Sequence, residues 1–196
     1  MKRSFPIKDI LLDGNHLCLN FVNTIHNRLV DQPDDYIINE KAWLEWLQKV
    51  GLLNESVSGY WVDLVEVKRV RELLHSIFYG IVHGIEVAKK DMKEFNRQVL
   101  KLRKATKITL ENNVPTESIN TDNQNLNSYL PVIVKAAYEL LFFENIGRIK
   151  ECGNCGWLFL DTSKGNQRKW CNMKTCGNEV KARRHYQKMK KNGNTD

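Results

Sequence analysis

Four cysteines in two close pairs, Cys152/Cys155 and Cys171/Cys176, fall within 25 residues near the end of the chain, and they constrain its fold more than any other feature. The first pair sits in Cys152-Gly153-Asn154-Cys155-Gly156, the form of a tight knuckle. Glycine there lets the backbone turn so that its N–H groups point at the sulfurs. Fifteen residues separate Cys155 from Cys171. Four thiolates so spaced suit one tetrahedral Zn²⁺, with Zn–S bonds of about 2.3 Å. The competing readings are redox disulfides and free buried thiols. In a chain without a secretory signal, clustered thiols favour the metal. Four thiolates fill the tetrahedron and leave no place for water, so the ion is structural, not catalytic.

Charge is segregated with the cysteines. The chain carries a net +7, yet residues 1–147 hold 18 Lys/Arg against 19 Asp/Glu, while 148–191 hold 12 against three. A basic segment of this kind points to a polyanion partner; the bland alternative is a solvated tail. Between the cysteine pairs, Trp157-Leu158-Phe159-Leu160 and Lys169-Trp170 read as two arms of a hairpin turning at 161–166. A helix is predicted from about Glu179 to Lys190, completing a treble-clef-like order of knuckle, hairpin and helix. On it Ala182, Tyr186 and Met189 share a face expected to pack on the finger. Lys181, Arg184, His185, Lys188 and Lys191 share another, suited to tracking a phosphate backbone. Arg168, Lys169, Lys174 and Asn178 extend that patch, Asn and Arg being suited also to base edges.

The preceding 147 residues read as a mainly helical domain, so the fold class expected is α+β, mainly helical. Ile7 to Thr24 reads as a β-hairpin around Asp13-Gly14-Asn15, with a strand through Leu17, Leu19 and Phe21. Cys18 on it is a small buried residue. Asn39 caps a helix carrying Trp43, Trp46 and Leu47, which stops at Gly51. Apolar residues from Trp61 to Ile81 recur at helical spacing, ending near Gly84, and a second amphipathic run covers 87–104. His75 and His83 lie on the first of these without a third ligand and read as ordinary histidines. Ile108 and Leu110 suit a short strand, 112–127 is polar and turn-rich, and Pro131 opens the most apolar helix, Val132 to Phe143. The finger follows at once, so the two parts are expected to pack together. The domain boundaries read 1–147, 148–191 and a flexible tail, 192–196.

Asn20, Asn23, Thr24, His26 and Arg28 are candidates to line a pocket for an unidentified small-molecule effector. Equally, Asn23 and Thr24 suit local caps of the turn after the apolar segment. No Gly-rich phosphate loop, nucleophile elbow or His-Glu-x-x-His is present, which argues against an enzyme. No apolar run approaches the ~20 residues of a membrane span, and Lys8, Asp9 and Asp13 interrupt any signal-type core. The expected setting is cytoplasmic, without a membrane partner.

Cys155-Gly156-Trp157-Leu158-Phe159-Leu160-Asp161-Thr162-Ser163, Arg168-Lys169-Trp170-Cys171-Asn172-Met173, Cys176-Gly177-Asn178 and Lys181 resemble the CGNR-type zinc finger of bacterial transcription regulators. Glu179 stands where the Cys-Gly-Asn-Arg signature has Arg. Gly14-Asn15-His16-Leu17-Cys18-Leu19-Asn20-Phe21-Val22-Asn23-Thr24, with Trp43-Leu44, resembles the ABATE domain found beside that finger in proposed stress-induced regulators. The resemblance implies a nucleoid-associated regulator whose finger binds double-stranded DNA and whose N-terminal domain senses a signal or dimerises. One small finger buries little surface, so a homodimer is expected. The alternative is a zinc-stabilised RNA- or protein-binding module.

Overall fold

The computed structural model describes residues 6–192. Six α-helices and two small antiparallel sheets are among them: α1 (Leu17–Val22), α2 (Glu40–Lys49), α3 (Leu64–His83), α4 (Lys89–Ala105), β1 (Thr106–Glu111), β2 (Val114–Ile119), α5 (Leu130–Phe142), β3 (Ile149–Glu151), β4 (Leu158–Leu160) and α6 (Asn178–Asn192). The α+β, mainly helical class is as expected. Of the tail at 192–196, Asn192 closes α6 and 193–196 lie outside the described residues, as does the side chain of Lys191.

Local signals set most helix ends. The Asn39 side chain accepts from Ala42 N at 2.9 Å and starts α2; Gly51, at φ +74°, follows its end. Asp63 caps α3 through Glu66 N, and Gly84 at φ +63° ends it in the left-handed conformation that glycine adopts without a Cβ penalty. Trp61 precedes the helix and is 55% exposed. Pro131 sits in the first turn of α5, where its missing N–H costs nothing. The core gathers Phe21 of α1, stacked Trp43 and Trp46 of α2, Leu74 and Phe78 of α3, and Ile133 and Leu140 of α5. Burying each such side chain contributes roughly 1.5–3 kcal/mol. This core is continuous with Trp157, Leu158 and Phe159 of the finger.

Three expectations are corrected. Residues 7–24 form no hairpin: a single 3-10 turn, Ile7–Asp9, leads through Asp13-Gly14-Asn15 into the helix α1. The turn is real, with Asn15 at φ +55°, but it folds back on a helix. Asn20 Oδ1 accepts from Gly14 N at 2.9 Å, and a Cβ on Gly14 would lie 2.8 Å from Asn20 N. Cys18, Leu19, Phe21 and Val22 are all fully buried, and a short run buried on nearly every side has no readable period. Six residues make a helix here through packing, not propensity.

Second, β4 pairs with β3, not with Lys169-Trp170; Ile149 faces Leu160 and Glu151 faces Leu158. The knuckle therefore lies at the tip of its own hairpin, because the bond from Cys152 N to Trp157 O (2.8 Å) closes it. Third, the strand at Ile108 and Leu110 extends to a ribbon, β1–β2, whose second strand lies in the stretch expected to be turns. Asn112 and Asn113, at φ +51° and +63°, supply its two-residue bend. Among the described residues no helix is long and apolar enough to cross a membrane.

Candidate metal centre and nucleic-acid surface

The sulfurs of Cys152, Cys155, Cys171 and Cys176 all lie within 4.8 Å of one another. Cys155–Cys171 and Cys171–Cys176 are each 3.7 Å apart. A tetrahedron with Zn–S bonds of about 2.3 Å has edges of about 3.8 Å, so the donor set fits zinc in number, chemistry and spacing. Gly156, at φ +70°, turns the knuckle and donates to Cys152 O at 2.8 Å. Asn172 starts the second ligand turn, Met173–Gly177, by accepting from Lys174 N. That turn delivers Cys176 just before the N-terminus of α6. Trp170 packs between the halves: a Cβ on Gly153 or Gly177 would come within 3.2 Å of its ring. Gly153 makes room for that indole, and Gly177 first for the Met173 sulfur, then for the indole.

Packed this closely, the thiols oppose one another's ionisation: Cys155 and Cys171 are pushed up, first by their hydrogen bonds with Cys152. Such a set ionises fully only when a cation takes the place of its protons. The four cysteines form the site of one structural zinc ion.

Beneath the site, fully buried Asp161 accepts from Ser163 N and Oγ through Oδ1, and from Lys150 Nζ (2.8 Å) and Arg168 N (2.9 Å) through Oδ2. Arg168, expected on the nucleic-acid face, is held inward. Its guanidinium lies 5.1 Å from the Phe159 ring and donates to Cys171 O.

The finger is welded to the helical body by polar contacts between residues far apart in sequence. Asn23 donates to Leu158 O (2.8 Å) and accepts from Leu158 N (3.0 Å), behaving as a strand partner for β4. Trp157 Nε1 donates to Ile25 O, Arg28 N to Cys155 O, and Leu160 N to Gly14 O. Asn15 reaches Leu160 O, and Asn172 reaches Asp13 Oδ1. His83 Nε2 meets Glu151 at 2.8 Å.

The structure disperses the five pocket candidates among such bonds. Asn20 holds Gly14, and Asn23 holds β4. Thr24 donates to Phe21 O, the local cap, and faces Arg71. Arg28 pairs with Glu72 at 2.8 Å and donates to Val22 O. His26, bonded to the Tyr36 hydroxyl at 2.9 Å, borders a cleft of about 250 Å³ shared with Asp9, Trp157, Cys155 and Cys176. Sequence reasoning missed Asn15, Lys150 and Asp161, whose partners lie across loops that no spacing reveals.

Helix α6 differs from expectation. Lys181, Arg184, His185 and Lys188 are exposed, but so are Ala182, Tyr186 (70%) and Met189 (61%), and the apolar face does not pack on the finger. Among the described side chains of the helix only Val180 is half-buried, too little to anchor four turns. Its root is polar: Asn154 of the knuckle donates to Glu179 at 2.7 Å and accepts from Arg183 at 3.3 Å. Glu179, the departure from the signature, thus braces knuckle to helix. Lys169 and Lys174 are exposed beside that root, and Asn178 is exposed with its amide on Lys174 O.

Residues 148–189 match the CGNR zinc finger family, and residues 15–142 match the ABATE family, described as "Putative stress-induced transcription regulator". The second match spans more than half of the chain, which belongs to that family. Both are regulator or zinc-finger families, not families of enzymes. No curated protein matches the sequence.

Proposed function

We propose that the chain is a zinc-dependent, DNA-binding transcription regulator of the cytoplasm, working on the nucleoid. The observation that carries this reading is α6: four turns, rooted on the zinc site, free of the body and lined with exposed Lys and Arg. An exposed, unobstructed basic helix suits a DNA major groove. Lys181, Arg184, His185 and Lys188 contact phosphates, joined by Lys169 and Lys174 near the root; Asn178 reads a base edge. Arg168 supports these contacts by holding the finger together. Trp157 and Phe159 are buried in the finger, which favours a duplex over single strands read by stacking.

Residues 1–147 sense and dimerise in this reading, and 148–191 bind. Stress responsiveness through a small effector belongs at the cleft beside His26, where a ligand would touch both parts.

The test is fluorescence anisotropy with duplex DNA over a range of salt, with single-stranded DNA and RNA as competitors. About 4–6 phosphate contacts per finger give a log–log slope of roughly −4 to −5. The variant Lys181→Ala/Arg184→Ala/Lys188→Ala weakens binding to every duplex and flattens the slope. If it binds as the parent does, or RNA outcompetes duplex, the alternative RNA- or protein-binding module takes over.

A further inference from the structure

The ribbon β1–β2 leaves Ile108 and Leu110 each 70% exposed and Val114 60% exposed. An isolated two-stranded ribbon is marginal in water, and this one displays branched apolar side chains to solvent. Ile108 and Leu110 share a face with Thr106, and across the pair with Pro115 and Glu117. At the foot of that face a groove of about 410 Å³ opens between α4, α5 and the ribbon. Its apolar lining is Val99, Leu102, Tyr138 and Phe143, and Lys135 bonds Glu117 across it. Phe142 and Phe143, 65% and 75% exposed, cluster with Tyr138 at one end.

We propose that this ribbon face and groove form a homodimer interface, the ribbon of each copy lying over the other's groove. The proposal deepens the dimerising role given to residues 1–147 above and rests on that reading. The occupant is a second copy for two reasons. Ile108, Leu110, Phe142 and Phe143 together expose on the order of 500 Å² of surface, against the ~800 Å² per partner of a standard interface. Pro115, Tyr138 and the stems of Arg103 and Lys135 are at hand to supply the remainder. The charges around the groove also balance, Lys135 pairing within its own copy with Glu117 and Glu139 and Arg103 offsetting the second carboxylate, so a neutral face meets its like about a two-fold axis without repulsion. A polyanion finds no such welcome here. Pro115 has no N–H to offer an added strand, which favours face-to-face packing over extension of the sheet edge.

Sedimentation of the full zinc-loaded chain without DNA tests the pairing independently of the DNA reading. The expected mass is twice the 22.9 kDa of the chain. Ile108→Glu/Leu110→Glu, at exposed positions, raises the dimer dissociation constant by about 100-fold or more with an unchanged far-UV spectrum. Leu110→Glu mixed with Phe143→Arg restores heterodimers, since the carboxylate introduced on one copy then meets the guanidinium introduced on the other. A monomeric parent overturns the proposal and leaves the face to a partner of another sequence. A parental dimer that the double variant does not weaken also overturns it.

Discussion

The two halves of the finger are treated differently by the same chain. Residues 155–161 are buried against the helical body, with the Trp157 indole and the backbone of Leu158 and Leu160 bonded to the segments flanking α1. Residues 178–192 touch little beyond the ligand turn that launches them. One half is part of the core; the other is presented from it. The zinc ion sits at the joint and fixes the direction of the exposed helix relative to the buried hairpin. The buried half of the finger is tied to the body, so whatever acts on the body reaches α6 through the ligand turn at its root.

Removing zinc tests the joint most severely. Purified protein is expected to hold one zinc per chain, and chelation or Cys171→Ser lowers the melting temperature of the whole chain by more than about 15 °C. If only a minor C-terminal transition moves, the buried half is a separate unit and the contrast falls. Asp161→Asn comes next, with a loss of about 10 °C, because an amide turns N–H groups toward donors that need an acceptor. The pH profile sharpens this. Burial opposes ionisation of Asp161, but the hydrogen bonds from Lys150 and Ser163 win and hold it well below the usual carboxylate range. Glu66 is likewise held at about 2, where burial is outweighed by Lys101 and Arg69. Stability from a depressed carboxylate is complete above its unfolded value and lost as pH falls through the folded one. Melting temperature should therefore fall steeply from about pH 4 toward 2, and less steeply in Asp161→Asn.

Asn23→Ala leaves both backbone groups of Leu158 buried without partners, a cost of about 2–4 kcal/mol and roughly 6 °C by calorimetry. The smallest effect on stability belongs to the Lys181/Arg184/Lys188 triple variant, whose melting should stay within about 1 °C of the parent while the proposed duplex binding weakens. A large drop there would show that α6 is no bystander to the fold.

The metal site was legible because four thiols in two close pairs have few uses. Asn39, Gly51 and Gly84 were legible because caps act locally. What escaped depended on partners far away in sequence. Asn23 carries a polar side chain after an apolar segment, and nothing near it names Leu158, 135 residues on. Arg168 reads as one more surface cation until Phe159 and the Cys171 carbonyl are placed around it. The row Ala182, Tyr186, Met189 has helical spacing, but spacing records a face and not whether anything covers it. Val114 to Ile119 contains Pro and Glu and is solvated on both faces, so the alternation that marks a half-buried strand is absent.

The bond pair between Asn23 and Leu158 also sets an order of events during synthesis. At 5–20 residues per second, a ribosome needs roughly 7–27 s to go from one to the other. Through that interval α1 has been made but its bonding edge has no mate, and a six-residue helix does not persist alone. The nascent chain therefore waits, with Phe21 and Trp43 incompletely covered, until β4 has emerged and the thiols can be gathered. Metal supply and translation speed become coupled: a cell short of zinc would accumulate this chain as an unfinished core, open to chaperone or protease.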